Sequence, residues 1–302
     1  MTYAYLLAGE DMELAEHELK GFLESQELDT GVDRKGRLAF ADEPGDGQLR
    51  RLALVHEISE VLERNRLGEE PEYRPGDSFA VRAVDVNDEG YGTSFGEKLS
   101  TGENKIDLER PGEVVKLYLL DDSYVLARLV EDIDRGLFEK RKNQERPFSS
   151  PVSLDPVLAR VLVNLSGVKP GSHLLDPFCG TGGILIEAGL CGAGVHGMDA
   201  QEKMVEGTER NLEKYGIISH DIRQGKISGV EEVFDRHFQA LVTDLPYGGA
   251  SKVEGEPVEE FLEKAESLAD RVVFMNDREL EGMEPEHEIY VHRSLTRYIY
   301  LL

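Results

Sequence analysis

The sequence predicts an α/β protein in which a parallel, doubly wound sheet with an antiparallel end follows smaller α+β modules. Three observations predict it. From about Leu154 onward, apolar strands and amphipathic helices alternate. Within that half, Leu174–Ala188 reads as a short strand, a glycine turn and an apolar helix, with Asp176 at the strand's end. A second strand, Ala240–Thr243, runs into Asp244-Leu245-Pro246-Tyr247-Gly248.

In chain order, the first segment predicts a strand at Tyr3–Leu7, a helix at Met12–Leu23, a strand around Arg37–Ala41 and a helix at Leu49–Glu63. That second helix rests on Leu52, Leu54, Val55, Ile58, Val61 and Leu62, which fall at helical spacing. β-α-β-α order of this size suggests a ferredoxin-like unit. The proline- and glycine-punctuated bend Glu69–Gly76 opens a second region. Its strands are expected at Ser78–Arg82, Val114–Leu119 and Tyr124–Leu129, with a helix near Gly92–Leu99. A linker, Gly136–Arg146, leads to a helix at Pro156–Leu165. The doubly wound part then predicts strands around Leu174, Val195, Ala240 and Val272–Met275, and helices around Ile184, Lys203–Lys214 and Val258–Leu268. His287–Val291 and Arg297–Leu302 read as two closing antiparallel strands.

Glycines at 180, 182 and 183 let the backbone approach a ligand, and the helix start behind them offers unpaired N–H groups. Asp199, 23 positions after Asp176, ends a second apolar strand, where a carboxylate suits ribose hydroxyls. The loop is neither Gly-x-Gly-x-x-Gly nor a triphosphate-binding loop, which argues against NAD and ATP. Asp176 would repel a pyrophosphate and suits a cation, so S-adenosylmethionine, with a sulfonium, an ammonium and no phosphate, fits the loop. Asp-Leu-Pro-Tyr resembles the Asp/Asn-Pro-Pro-Tyr/Phe motif of methyltransferases that act on nucleobase amines. Such an amine is a poor nucleophile because its lone pair is delocalised into the ring. The Asp244 carboxylate and a carbonyl near Leu245–Pro246 can accept its two N–H bonds, and Tyr247 can stack on an extruded base.

Composition sets bounds. The 302 residues are 40% hydrophobic and 31% charged, which describes a globular chain with room for two or three domains. No apolar run approaches ~20 residues and no basic-then-apolar leader is seen, so a cytoplasmic protein is expected. Two cysteines, Cys179 and Cys191, support neither a disulfide framework nor a zinc site, and Cys179 reads as a small packing residue. The net charge of −26 sits awkwardly with nucleic-acid binding. It fits either a protein of a salty cytoplasm, where screening is strong, or one without a nucleic-acid partner. The most basic stretch, Arg135–Arg146, sets five cations against two carboxylates.

With these residues in view, the chain resembles the archaeal tRNA guanine-N2 methyltransferases that join a THUMP domain to a Rossmann-like catalytic domain, most of all those acting on guanosine 10. Ser78–Arg82, Lys105–Leu108 and Pro111–Val114 are similar to the THUMP pattern, Arg146-Pro147-Phe148 to the entry into the catalytic domain, and His292–Arg297 to the C-terminal motif. The resemblance implies an N-terminal ferredoxin-like domain over 1–66, a THUMP RNA-binding domain over 67–134, a linker over 135–153 and a Rossmann-like class I methyltransferase domain over 154–302. It implies S-adenosylmethionine as cofactor, with Asp176, Gly180 and Gly182 at the methionine part and Asp199 at the ribose. Pro177, Phe178, Thr181 and Ala200 also belong to that cofactor site, and Asp244, Leu245, Pro246 and Tyr247 hold the guanine. tRNA is the implied partner, with no metal, DNA or membrane. One departure stands out: Lys226 lies where an acidic residue is expected to meet the adenine amine, and a lysine cannot accept that hydrogen bond. Gln224 or a backbone carbonyl is the substitute. The rival readings are a DNA amino-methyltransferase and a non-catalytic RNA-binding protein with a degenerate methyltransferase fold.

Overall fold

A computed structural model describes residues 1–29, 31–45, 48–84, 90–151, 153–246, 257–293 and 295–302. The chain divides into two compact units, residues 1–16, 28–50 and 55–134, and residues 17–27, 51–54 and 135–302.

The first unit is built on β1 (Thr2–Leu7), the start of α1 (Met12–Ser25), β2 (Asp33–Lys35), β3 (Leu38–Asp42), β4 (Val55–Arg66), β5 (Ser78–Val84), α2 (Tyr91–Leu99), β6 (Lys105–Ile106), β7 (Glu113–Leu119) and β8 (Ser123–Asp132). Among the described residues its strands form one sheet in the order β2-β3-β1-β4-β8-β7-β5-β6. Side chains alternate across that sheet, as the strand period requires. Tyr124 and Leu126 of β8 join Phe79, Val81, Phe95 and Leu117 in one cluster, while Val125 and Ala127 join Ala4, Phe40 and Tyr118 in another.

One expectation is corrected here. The predicted helix Leu49–Glu63 is instead a single 3-10 turn at Leu49–Arg51 followed by the twelve-residue strand β4. The apolar positions fitted both periods, and tertiary pairing decided between them. β4 lies between two antiparallel partners, with Tyr5 opposite Ile58 on one side and Arg128 opposite Glu60 on the other. Two ladders of backbone hydrogen bonds and the β-branched Val55, Ile58 and Val61 favour the extended chain. The segment Arg51–Leu54 before it belongs to the second unit, where the fully buried Glu18 accepts the N–H groups of Ala53 and Leu54, both at 2.7 Å.

The second unit contains α3 (Gly136–Glu139), α4 (Pro156–Leu165), β9 (His173–Asp176), α5 (Gly183–Leu190), β10 (Gly194–Asp199), α6 (Glu202–Lys214), β11 (His220–Gln224), α7 (Val230–Phe234), β12 (Ala240–Asp244), α8 (Pro257–Leu268), β13 (Val272–Asn276), β14 (His287–His292) and β15 (Leu295–Leu301). Its sheet runs β11-β10-β9-β12-β13-β15-β14, with β9 to β13 parallel and β15 antiparallel to both neighbours. This is the doubly wound sheet with an antiparallel end that the alternation predicts. The chain leaves β9 towards β10 and β11, then returns to β12 on the other side. The carboxyl ends of β9 and β12 therefore flank the switch point where open α/β sheets bind ligands. A core that includes Leu175, Met198, Phe238, Leu241, Leu245, Phe261 and Phe274 holds these strands in place. No helix among the described residues is long and apolar enough to cross a membrane.

Candidate active site

Four strands deliver polar side chains to one edge of the sheet: Asp176 from β9, Asp199 from β10, Gln224 from β11 and Asp244 from β12. The parallel register aligns them, with Gly197 opposite Asp176 and Asp199 opposite Gln224.

After Asp176-Pro177, the chain makes a tight loop that needs its glycines. Gly180 and Gly182 sit at φ 53° and 77°, where a side chain would be strained. A Cβ at Gly182 would also lie 2.8 Å from Thr208 Cγ2. Polar side chains from behind fix the loop: Thr208 Oγ1 donates to the Gly180 carbonyl at 2.8 Å, and Asn211 Nδ2 to the Thr181 carbonyl at 2.9 Å. Asn211 also exchanges hydrogen bonds with the backbone of Phe148, whose ring fills the space beside Gly207. Arg146-Pro147-Phe148 is thus a buttress of the loop. Ser153 adds a hydroxyl 2.8 Å from that of Thr181.

Asp199 is half-buried and accepts the N–H of Gly180 at 3.1 Å on one oxygen and that of Gln201 at 2.9 Å on the other. Burial raises its carboxyl above the usual range, and these two bonds oppose the rise. Each oxygen keeps a lone pair for another donor. Asp176 is 2% exposed. It accepts from Thr243 Oγ1 at 2.7 Å and from the Phe178 N–H at 3.2 Å. Burial pushes its carboxyl up to about 7 against these two bonds, and Asp244 and Asp199 add to the rise. Phe178 packs towards Phe261, and the Ala200 carbonyl accepts from Gln224 Nε2 at 3.1 Å.

On β12, burial also pushes Asp244 up to about 7, opposed by the guanidinium of Arg297, whose NH1 donates to Asp244 Oδ1 at 2.8 Å. Leu245 is fully buried in the core and its N–H donates to the Met275 carbonyl at 2.9 Å, so its side chain anchors the motif and does not face a ligand. Pro246 is half-buried, and Tyr247 lies outside the described residues. Thr243, the residue before Asp244, is the donor to Asp176, so one hydroxyl ties the two motifs together.

Two residues here were missed by sequence reasoning. Thr243 reads as an ordinary strand residue. Arg297 lies inside the C-terminal motif without an evident role until β15 carries it to Asp244. The basic stretch before Arg146 also resolves differently from an open cationic patch. Arg141 and Arg160 both clamp the fully buried Glu187, at 2.6 and 2.7 Å. Arg146 is buried too, with its Nε donating to the Arg141 carbonyl. Burial pushes the Cys179 thiol well up, consistent with a packing residue. Lys226 and Gln224 are both exposed, and Gln224 stands across from Asp199.

Comparison with known proteins follows the same outline. A family model described as UPF0020, RMKL-like methyltransferase domain, matches residues 143–281. The tRNA (guanine(10)-N2)-dimethyltransferase of Methanothermobacter thermautotrophicus is 37% identical, over 99% of this chain and 98% of its own. Its namesake from Methanocaldococcus jannaschii is 30% identical, over 98% of each. Among solved structures, TrmN from Thermus thermophilus superposes with a TM-score of 0.53 at 19% identity, covering 100% of this chain and 99% of its own, which is a likeness of fold.

Proposed function

The chain belongs to the tRNA (guanine(10)-N2)-dimethyltransferase family, and on that premise we propose that it methylates the exocyclic 2-amino group of guanosine 10 in tRNA from S-adenosylmethionine. The observation that carries the reading is the pair of strand-end carboxylates, Asp176 and Asp244, joined through Thr243.

The strand-end residues fit the cofactor. Among the described residues, three carboxylates line the ends of β9, β10 and β12, which suits a cation and repels a pyrophosphate. The spare lone pairs of Asp199 suit a ribose diol. When bound, S-adenosylmethionine supplies an electrophilic methyl group on a sulfonium. Asp176 and the loop of Gly180, Thr181 and Gly182 hold its methionine part, with Pro177 and Phe178 shaping the wall. Asp199 and Ala200 meet the ribose, and Gln224 is the candidate for the adenine edge.

Asp244 receives the amine. Arg297 occupies Oδ1 and orients the carboxylate, which leaves Oδ2 to accept an N–H of the guanine. A carboxylate accepting that bond aims the nitrogen lone pair and stabilises the positive charge that develops on it. The rest of the acceleration comes from holding the two substrates in line. Transfer leaves the thioether S-adenosylhomocysteine and a methylammonium, which gives a proton to Asp244 and thence to solvent. The resulting secondary amine still carries one N–H for Asp244, so the same geometry serves a second methylation. Tyr247 is assigned to stack on the flipped base, as its place in the motif suggests. Residues 1–66 and 67–134, as ferredoxin-like and THUMP modules, would grip the tRNA by shape and backbone, in the cytoplasm, without DNA as a substrate.

The test is Asp244→Ala with unmodified tRNA. A loss of roughly 10³-fold in methyl incorporation is expected, the scale of losing a charge-stabilising group. Incorporation near the wild-type rate would refute the mechanism, and equal methylation of DNA would refute the substrate.

A further inference from the structure

Away from the strand-end carboxylates, three side chains of the second unit bring metal-ligating atoms together. They are His17 of α1, and Glu286 and His287 at the start of β14. His17 Nδ1 lies 2.8 Å from His287 Nε2 and 3.3 Å from Glu286 Oε1. The two rings meet edge to face, with centroids 4.7 Å apart. Both histidines sit on regular elements, His287 is buried and His17 is one-third exposed, so two ligands are fixed and the site keeps an opening.

We propose that His17, Glu286 and His287 form a binding site for a divalent transition-metal ion, of which Zn²⁺ is the type. Two imidazoles and one carboxylate are a donor set that zinc takes with a fourth position left for water. Tetrahedral metal–ligand bonds of ~2.0–2.2 Å place neighbouring ligand atoms ~3.3–3.6 Å apart. The 3.3 Å between His17 and Glu286 already matches that separation, and the two histidine nitrogens, 2.8 Å apart, open by ~0.5 Å to admit the ion. Without it, one of the two facing nitrogens carries a hydrogen and donates to the other. On binding, that ring adopts its other tautomer, with the proton moved to the far nitrogen through solvent. His17, with water beside it, is the ring placed to do so. The ion is not a participant in methyl transfer. It ties α1 to the β14–β15 hairpin, in which His287 faces Ile299 and Ile289 faces Arg297. It therefore braces the strand that presents Arg297 to Asp244.

The experiment uses the full chain stripped with a chelator and titrated calorimetrically with Zn²⁺ in ~1 M KCl, which screens the general attraction of 60 acidic side chains. The expected result is one ion per chain at micromolar affinity or tighter, and a rise in Tm of ~5 °C on saturation. Co²⁺ in its place is expected to give visible absorption bands. His17→Ala and Glu286→Gln, each checked for native circular dichroism, are expected to weaken binding at least tenfold and remove those bands. No binding below millimolar Zn²⁺ would overturn the proposal, as would His17→Ala binding as tightly as the wild type.

Discussion

Asp176 and Asp244 close neighbouring parallel strands, the first fully and the second largely buried, and both are pushed up to about 7, yet different partners hold them. Asp176 is held by neutral dipoles, the Thr243 hydroxyl and the Phe178 N–H. Asp244 is held by a full positive charge, the guanidinium of Arg297. The difference matches the two tasks proposed for them. A carboxylate that awaits a cationic ligand needs no resident cation, because the ligand brings one. A carboxylate that is to accept a hydrogen bond from a neutral amine works in its ionised form, and Arg297 favours that form against the effect of burial. The buried pair also shares its load: Arg297 takes Oδ1 and leaves the other oxygen to the base.

Removing Arg297 should therefore have the larger effect. Arg297→Met leaves Asp244 without its counter-charge, and the carboxyl, already raised to about 7 with Arg297 in place, moves higher and is mainly protonated at neutral pH. A kcat loss of roughly 10²-fold at pH 7 is expected, with the KM for S-adenosylmethionine nearly unchanged. The rise of kcat with pH should move to higher pH, and Arg297→Lys should restore part of it. An unaltered pH profile in Arg297→Met would break the comparison.

Asp176→Asn tests the other side. The amide keeps an acceptor for Thr243 but loses the charge, so S-adenosylmethionine binding should weaken by about 10- to 100-fold, with a smaller loss for S-adenosylhomocysteine, which lacks the sulfonium. Stability should move the opposite way. A carboxyl raised in the folded state stabilises the fold below its unfolded value near 3.9, and that contribution is lost as pH rises through about 7. The wild type should accordingly lose stability between pH 4 and pH 8 at these two groups. Asp176→Asn, which has no charge to bury, should flatten part of that slope in denaturant melts.

The same contrast explains what the chain discloses from its letters. The carboxylates at 176, 199 and 244 are readable because each lies next to the apolar run that becomes its strand, and the glycines at 180 and 182 because their need for positive φ is local. The doubly wound sheet and its antiparallel end follow from strand–helix alternation. Arg297 and Thr243 act across 53 and 67 residues of sequence, so pairing, and not pattern, reveals them. His17 and His287 are 270 residues apart and form no motif. β4 misled for a related reason: its apolar spacing fits a helix as well as a strand, and the ladders to β1 and β8 that choose between them are remote in sequence. Lys226 reads as a broken motif; it lies beyond the end of β11, and Gln224 is the residue at that strand end.

The smallest and most discriminating change is Thr243→Val. It preserves shape on a buried strand and removes one donor, the hydroxyl 2.7 Å from Asp176 Oδ1. At pH 8, where Asp176 is mainly ionised, losing that bond should cost about 1.5–3 kcal/mol of stability, the range for a hydrogen bond to a charged group. At pH 5 Asp176 is protonated and can donate its own hydrogen elsewhere, so the cost should shrink to below ~1 kcal/mol. Asp176 should titrate at a higher pH, and S-adenosylmethionine binding should weaken a few-fold at pH 7. Asp244 keeps Arg297, so kcat at saturating cofactor should hardly change. Equal destabilisation at both pH values would mean that Thr243 serves packing alone, and that the two carboxylates are not joined through it.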